Sequence, residues 1–199
     1  MVERPVAVED KRRQLLDAAV RVFARKGYHA SRVGDIAEEA GVAHGLLYHY
    51  FDSKDHVLEA VFDENWSVLV ARIASVEETE ESAADQLRHI TAIVLRTWLH
   101  VPDVVRVVVR EFGRSPEVAA RIGVLAQPIQ AIERVIERGI ERGEFRQGID
   151  PRFAATVVYG SIDELLTAWV LGRIPSGEED VAAAERTLLE ISLLGLQAP

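Results

Sequence analysis

The feature that most constrains this chain is a tight turn, Ala40-Gly41-Val42, between two short stretches that both have helical spacing. Before the turn, apolar residues recur as on one face of an α-helix, at Val33, Ile36, Ala37 and Ala40. Gly41 follows the last of them, where the left-handed backbone that ends a helix costs glycine little. We therefore predict a helix-turn-helix unit over residues 31–51, with the Ser31 hydroxyl capping its first helix.

The second helix of this unit, predicted over residues 43–50, has one side that can pack and one with unusual chemistry. Leu47 and Phe51 point to one side, and five residues are left for the other: His44, Gly45, Leu46, Tyr48 and His49. Solvated helix faces normally carry charged residues, so imidazoles, a phenol and a glycine indicate a surface that contacts another molecule. A recognition helix in a DNA major groove fits this pattern. Packing on the head is the alternative for Leu46, and Tyr50 is expected to fill the core.

The charge of the chain at first argues against a nucleic-acid partner, because the formal net charge is −9. The charge is unevenly distributed: residues 1–54 hold 9 Lys and Arg against 8 Asp and Glu, and the remainder holds 14 against 24. An acidic body with a nearly neutral head can still bind DNA if the basic groups face the phosphates. Cysteine is absent, so we expect neither disulfides nor a Cys-based metal site. Without a signal peptide or an apolar run of about 18 residues, we expect a cytoplasmic protein that does not enter a membrane.

The rest of the chain predicts further α-helices. An amphipathic helix is expected from about Asp10 to Lys26, after a loose polar arm. Another opens at residues 52–55 and runs to about Val76. The next is capped by Ser82, with Asp85 three residues on. The β-branched stretch VVRVVVREF favours a strand, but no partner strand is apparent, so we assign it to a short helix.

Three more helices complete the prediction. One begins at Ser115-Pro116 and continues to about Arg142, with a kink at Pro128. Asp150-Pro151 opens the next, and Ser176 with Glu179 forms a capping box for the last. The predicted fold is all-α with about nine helices. It consists of a three-helix head with the predicted DNA-binding unit, residues 1–54, and a larger helical body, residues 55–199, for which the resemblance described next implies ligand binding and dimerisation.

The segment GDIAEEAGVAHGLLYHYFDSKDHVL resembles the N-terminal domain of TetR-family transcriptional regulators, and the likeness is strong over residues 15–58. The resemblance implies a homodimer whose two heads bind a palindromic operator on double-stranded DNA, and a body that binds a small apolar effector and thereby releases the operator. Matched by position, it implies DNA contacts from Ser31, Arg32, His44, Gly45, Leu46, Tyr48, His49 and Lys54. Among these, Ser31, Tyr48 and Lys54 match phosphate-contacting positions.

Two positions depart from the family pattern. Ala43 stands where a Ser or Thr cap is usual, which should weaken that helix end by about 1 kcal/mol. Gly34 stands where a basic residue is common. We expect both departures to lower affinity for DNA without changing the mode of binding.

The body has a shorter likeness, through GSIDELLTAWV and REFGRSPEV, to acyl-CoA-responsive repressors of fatty-acid degradation. It implies a long-chain acyl-CoA effector; a multidrug-type or steroid-like ligand is the alternative. Apolar side chains are candidates to line the pocket, and arginines to meet phosphates at its mouth. The candidates are Trp98, Phe112, Phe153 and Val157, with Arg96, Arg106, Arg110 and Arg114. For each arginine, a surface ion pair is the alternative.

The last two helices are the predicted dimer seam, because their broad apolar faces include small residues that permit close approach. The expected interface residues are Gly160, Ser161, Leu165, Ala168, Ala184, Leu188 and Ile191. Two recognition helices held in this way should lie about 34 Å apart or somewhat more, to reach successive major grooves.

Enzymatic chemistry finds little support in the sequence. His89 and His100 are too far apart on one helix to form a metal pair, and the adjacent Asp163 and Glu164 point in different directions, a poor acid–base pair. No P-loop, GxSxG or GxGxxG motif is present. We expect no cofactor and no metal; a helical enzyme or a lipid-binding protein is the remote alternative.

Overall fold

The computed structural model describes residues 4–111 and 126–197. Within these two ranges the chain forms nine α-helices and no β-strand, which confirms the all-α fold class. The helices are α1 (Arg4–Lys26), α2 (Val33–Glu39), α3 (His44–Tyr50), α4 (Lys54–Glu77), α5 (Ala83–His100), α6 (Pro102–Glu111), α7 (Gln127–Glu141), α8 (Pro151–Val170) and α9 (Glu178–Leu196).

The described residues group into two compact units. The N-terminal unit contains residues 4–66 and 106–111, and the C-terminal unit contains residues 67–105 and 126–197. Both α4 and α6 therefore contribute residues to both units. These units are defined by packing, whereas the predicted boundary after residue 54 separates a DNA-binding part from a ligand-binding part. That boundary stays a prediction. None of the helices in the described part of the chain is long and apolar enough to cross a membrane.

The N-terminal unit encloses a small core between α1, α2 and α3. Its largest fully buried side chains include Leu15, Phe23, Ile36, Leu47 and Phe51. These residues belong to the apolar stripes that helical periodicity predicts. The three helices are too short or too polar to be stable alone, and they assemble because packing buries these stripes.

The C-terminal unit is built around α5, which packs against α7, α8 and α9. Ser82 caps α5 by accepting a hydrogen bond from the Asp85 amide, and Asp150 caps α8, as the sequence predicts. In α7, a side chain at Gly139 would collide with the Phe145 ring, whose nearest carbon would lie 2.4 Å from its Cβ. Glycine is therefore needed at this position for the chain to turn back against α7.

Four local predictions are wrong. The first helix begins at Arg4, about six residues earlier than expected, so those residues are not a loose arm. Pro128 does not kink a helix; it lies in the first turn of α7, where its missing N–H costs nothing. The residues before 126 in that prediction, with the expected start at Ser115-Pro116, lie outside the described part of the chain.

The other two errors concern helix caps. The amide of Gly177, rather than Ser176, donates to the Asp180 carboxylate at the start of α9, at 2.9 Å. At α2 the cap residue is Arg32, whose amide donates to Asp35 at 2.8 Å. Ser31 is buried, and its hydroxyl donates to the Gly27 carbonyl at 2.6 Å. In both cases the helix starts one residue later than predicted, and the carboxylate three residues on, Asp35 or Asp180, accepts a hydrogen bond from the backbone amide of the cap residue.

Candidate DNA-binding surface

The turn between α2 and α3 fixes the direction of the second helix. Gly41 has φ +66°, the left-handed conformation that the sequence predicts for it. The Val42 amide donates to the Ala37 carbonyl, and Gln14 of α1 donates its side-chain N–H to the Ala40 carbonyl at 2.7 Å. These bonds satisfy the free carbonyls at the end of α2 and tie the turn to α1.

The side chains of α3 divide as the sequence predicts. Leu47 is fully buried against the head, whereas Tyr48 is 51% exposed and His44, Gly45 and His49 are also exposed. Leu46 is half-buried, which leaves both interpretations of that residue open. The exposed side therefore presents two imidazoles and a phenol, each of which can exchange hydrogen bonds with phosphates or base edges. Ala43 precedes α3 and offers no side-chain cap.

The imidazole of His44 is held by two neighbours. It makes an edge-to-face contact with the Tyr48 ring, with ring centroids 5.4 Å apart. A Cβ on Gly34 would lie 3.4 Å from His44 Nε2, so the ring rests over the bare backbone of α2. In the sequence, Gly34 is notable only because a basic residue is common at that position. Its packing against His44 cannot be predicted, because contacts between α2 and α3 produce no periodic pattern in the sequence.

Most cations of the head are paired with carboxylates of the same unit. Glu39 on α2 forms salt bridges with Arg21 and Arg25 of α1, each with an N···O distance of 2.8 Å. Asp35 forms one with Lys26, also at 2.8 Å. α3 itself contains no lysine or arginine. The exposed face of α3 therefore offers hydrogen-bonding groups rather than fixed positive charge.

These pairs lower the pKa values of the two acids. Arg25, and then Arg21, hold the pKa of Glu39 below its usual value, and hydrogen bonds from Lys26 and the Arg32 amide do the same for Asp35. A carboxylate with a lowered pKa stabilises the fold above its ordinary pKa, and the stabilisation is lost as the pH falls through the lowered value.

Glu39→Gln should therefore lower the melting temperature at pH 7 and have no effect in strong acid. The difference from wild type should be complete above about the ordinary glutamate pKa of 4.5 and should vanish below the folded-state pKa, where wild-type Glu39 is itself neutral. Thermal unfolding of both proteins between pH 7 and pH 2.5 measures this. Glu38→Gln, at an exposed position of the same helix, is the control; an equal effect of both substitutions at pH 7 would contradict the assignment.

Lys54 performs a structural task at the start of α4. Its ammonium donates to the carbonyls of Tyr28, at 2.8 Å, and Ser31, at 3.0 Å, and lies 4.2 Å from the centre of the Tyr28 ring. It therefore closes the loop between α1 and α2. The sequence predicts a phosphate contact here; two of the three ammonium protons are already used, and one is left for such a contact.

Replacing Lys54 with Met should destabilise the protein by about 1–2 kcal/mol, because two carbonyls lose a charged donor. Lys11→Met is a matched control, since Lys11 is exposed and donates only to the nearby Gln14 side chain. Urea unfolding followed by circular dichroism measures both variants. Equal unfolding free energies for the two would show that Lys54 does not hold the loop.

Ser31 and Arg32 differ in what they can contact. Ser31 is buried, and its hydroxyl donates to the Gly27 carbonyl, so no proton is left to donate to a phosphate. The predicted phosphate contact of the Ser31 side chain is therefore wrong. Arg32 is exposed at the start of α2, as the prediction requires.

The described residues of the ligand-binding prediction are divided between the two units, with Arg106 and Arg110 in the N-terminal unit and the others in the C-terminal unit. Trp98 is buried in the C-terminal unit, where its indole N–H donates to the Ser176 carbonyl at 3.1 Å. Phe153 and Val157 are 72% and 67% exposed on α8, rather than inside the unit, and their role in ligand binding stays a prediction. Phe112 and Arg114 lie outside the described residues.

The described arginines of that prediction have other partners or neighbours. Arg96 forms a double hydrogen bond with Glu185, the surface ion pair considered as its alternative. Arg110 belongs to the N-terminal unit and donates to the Ala24 carbonyl at 2.8 Å. Arg106, half-buried, belongs to the same unit.

The predicted dimer residues divide into two groups. Gly160, Ser161 and Ile191 are exposed, and Leu165 and Ala184 are half-buried. Ala168 and Leu188 are buried inside their own unit, and their role at an interface stays a prediction. Four large apolar side chains of these two helices are exposed, and only one of them, Ile191, is in the predicted set. They are Phe153, Val157, Ile191 and Leu194, which we call the α8–α9 outer face.

Comparison with known proteins agrees with this architecture. The family model described as "Bacterial regulatory proteins, tetR family" matches residues 15–61, and the one described as "YsiA-like protein, C-terminal region" matches residues 62–180. The fatty acid metabolism regulator protein of Bacillus subtilis is 30% identical over 185 residues, which cover 92% of this chain and 94% of that protein.

Two further relatives extend the comparison. The HTH-type transcriptional repressor KstR2 of Rhodococcus jostii is 28% identical over 200 residues, covering 95% of this chain and 92% of the repressor. The crystal structure of the transcriptional regulator FadR from Bacillus subtilis in complex with stearoyl-CoA aligns with a TM-score of 0.79 at 28% identity, covering 92% of this chain and 97% of that one. The chain therefore belongs to the TetR family, and it is a dimerising, ligand-responsive transcriptional regulator that binds operator DNA.

Proposed function

We propose that this regulator represses genes of fatty-acid metabolism and leaves its operator when its body binds a long-chain acyl-CoA. The observation that carries the proposal is the likeness to FadR solved with stearoyl-CoA, which extends over 92% of this chain and so includes the body. The apolar interior around α5 is compatible with an acyl chain. The protein acts where the operator is, in the cytoplasm, and by binding rather than by catalysis.

We propose that the DNA contacts come from the exposed side of α3 and the residues flanking it. Gly45 lets the backbone approach the duplex, and Tyr48 donates to a phosphate. His44 and His49 contact base edges or phosphates, with Leu46 beside them. Arg32 supplies a cation at the start of α2, and the remaining proton of Lys54 is available to the backbone of the DNA.

We propose that the dimer forms through the α8–α9 outer face. Four large apolar side chains exposed on two adjacent helices are unusual for a protein surface and typical of an interface. Gly160 and Ser161 lie on the same side of α8 as Phe153 and Val157, where small residues permit close helix approach. Because α4 contains residues of both units, a ligand that displaces α4 in the body also acts on the head.

A steroid-like effector is the second candidate. It is favoured by the likeness to the ketosteroid transcriptional regulator KstR2 of Mycobacterium tuberculosis, which aligns with a TM-score of 0.75 at 25% identity and covers 94% of this chain. The two candidates differ in shape and flexibility, and binding experiments separate them.

The test combines ligand binding with DNA release. Stearoyl-CoA, free CoA, stearate and androst-4-ene-3,17-dione are each added to the protein, and the melting temperature is measured. An operator duplex selected from random sequences is then titrated with and without each compound. We expect stearoyl-CoA to raise the melting temperature and to weaken operator binding at least about tenfold. Unchanged operator affinity with saturating stearoyl-CoA would reject the acyl-CoA proposal.

A further inference from the structure

Two hydrogen-bond donors inside the C-terminal unit have no acceptor in the part of the chain that the structure describes. They are the Thr91 hydroxyl of α5 and the Trp169 indole N–H of α8. Both residues are cut off from solvent, with exposures of 1% and 3%. A buried donor normally has a partner, because desolvation without a hydrogen bond is unfavourable. Two such donors in one helical unit therefore suggest an acceptor that the polypeptide does not supply.

Thr91 differs from other hydroxyl residues within these helices. Thr156, Ser161 and Thr187 each donate to the carbonyl four residues earlier, at 2.7, 2.8 and 2.9 Å. This is the usual way in which a helix satisfies such a side chain. Thr91 makes no bond of this kind, although the carbonyl of Leu87 occupies the equivalent position. Its hydroxyl proton is therefore available for another acceptor.

Trp169 can be compared with its neighbour Trp98. The two indoles are stacked at a tilt, with ring centroids 6.1 Å apart and planes at 33°. Trp98 donates its N–H to the Ser176 carbonyl at 3.1 Å, whereas the N–H of Trp169 has no acceptor among the described residues. The indole nitrogen of Trp98 therefore has an acceptor among the described residues, whereas that of the neighbouring Trp169 has none.

The positions of the two donors are related through Trp98. Thr91 and Trp98 are seven residues apart on α5, which is two turns, or about 10 Å, along the same face. The Trp169 ring packs on the Trp98 ring. Buried apolar side chains, among them Ile90, Val94 and Ile162, lie near these positions in the sequence.

We infer that Thr91 and Trp169 donate hydrogen bonds to carbonyl oxygen of the effector, carried on an otherwise apolar molecule. Both donors are uncharged, so they match a ketone, ester or thioester oxygen better than a carboxylate, which would need a buried cation. The thioester of an acyl-CoA and the ketones of a steroid share this chemistry. The inference rests on the proposed function in one respect, namely that the effector binds in the body.

The experiment uses two pairs of ligands that differ in the carbonyl. The first pair is stearoyl-CoA and S-octadecyl-CoA, a thioether without the oxygen; the second is androst-4-ene-3,17-dione and the corresponding hydrocarbon without ketones. Affinities are measured by calorimetry for wild type, Trp169→Phe, Thr91→Val and Thr91→Ser. Thr187→Val is the matched control for Thr91→Val, because the Thr187 hydroxyl already donates to the Ala183 carbonyl.

We expect wild type to bind the carbonyl member of one pair more tightly than its partner. With the dione, which has two ketones, Trp169→Phe and Thr91→Val should each weaken binding about fivefold to tenfold; with stearoyl-CoA, whose thioester has one oxygen, at least one of them should. Neither substitution should change the affinity for the carbonyl-free ligand. Thr187→Val should preserve the preference for the carbonyl, and Thr91→Ser should retain it. Without ligand, Thr91→Val should raise the melting temperature, because it removes a buried hydroxyl that has no partner.

The outcomes separate this inference from the proposed function. If stearoyl-CoA binds and releases the operator but the thioether and both variants bind equally well, the inference is overturned and the acyl-CoA proposal stands. If only the steroid ketone binds, and Trp169→Phe or Thr91→Val weakens it, the inference is supported and the acyl-CoA proposal fails. Binding of none of the four compounds would overturn both.

Discussion

Val157→Asp should convert the dimer into monomers and lower operator affinity by about 100-fold or more, because a monomer keeps only one half-site. Val157 is 67% exposed in a single chain and belongs to the α8–α9 outer face. In a two-fold symmetric dimer, residues from both copies approach each other, so the substitution places two carboxylates in an apolar seam. Folding of the single chain should not change, since the side chain is in water there.

Sedimentation velocity and titration of the selected operator duplex measure this prediction. Val68→Asp is a matched control, because Val68 is a 56% exposed valine on α4, outside the α8–α9 outer face. The control should remain dimeric and bind DNA normally. A dimeric Val157→Asp protein with unchanged operator affinity would remove the α8–α9 outer face as the seam.

The α8 helix also shows what the sequence can and cannot predict. Its apolar residues lie on two sides: Ala155, Val158 and Ile162 are buried in the unit, while Phe153 and Val157 face outward. Hydrophobic periodicity detects the helix, but with two apolar sides it does not say which one faces the core. For this reason the sequence assigns Phe153 and Val157 to the interior and Ala168 to the surface, whereas the structure exposes the first two and buries the third.

The head was more predictable, because each short helix there has one apolar stripe. The exposure of His44, Tyr48 and His49 follows directly from the burial of Leu47. The partners of Ser31 and Lys54 did not follow from any pattern, since both bond to carbonyls of the loop after α1. Such bonds depend on where the backbone turns in three dimensions, and side-chain spacing carries no information about that.

Buried polar groups were the hardest to predict. Thr91 and Trp169 are both buried, and neither is among the residues that the sequence marks as functional. Whether a buried donor has an acceptor depends on the positions of single atoms. The resemblance found in the sequence implies that the body binds a ligand, with Phe153 and Val157 among the candidate residues. The two donors without an acceptor, Thr91 and Trp169, are recognisable only in the structure.

Gly45→Glu should abolish specific operator binding, with a loss of about 100-fold or more, and leave the protein at least as stable as wild type. A Cβ at Gly45 would have no atom within 4 Å, so the free protein has room for a side chain. Gly45 is in the first turn of α3, where a carboxylate interacts favourably with the helix dipole and where any residue improves on glycine. Against a duplex, the same carboxylate would be desolvated beside phosphates and held close to the base edges.

Two further substitutions at this position separate charge from size. Gly45→Gln has nearly the shape of Gly45→Glu without its charge, and Gly45→Ala adds a single methyl group. We expect Gly45→Ala to raise the unfolding free energy by about 0.5–1 kcal/mol while weakening operator binding, because the backbone of α3 can no longer approach the groove as closely. Gly45→Gln should fall between Gly45→Ala and Gly45→Glu in affinity. Thermal unfolding and fluorescence anisotropy with the selected duplex measure both quantities. If Gly45→Glu bound the operator as tightly as Gly45→Ala, this side of α3 would not face the DNA, since a charge held against the phosphate backbone cannot be neutral in its effect.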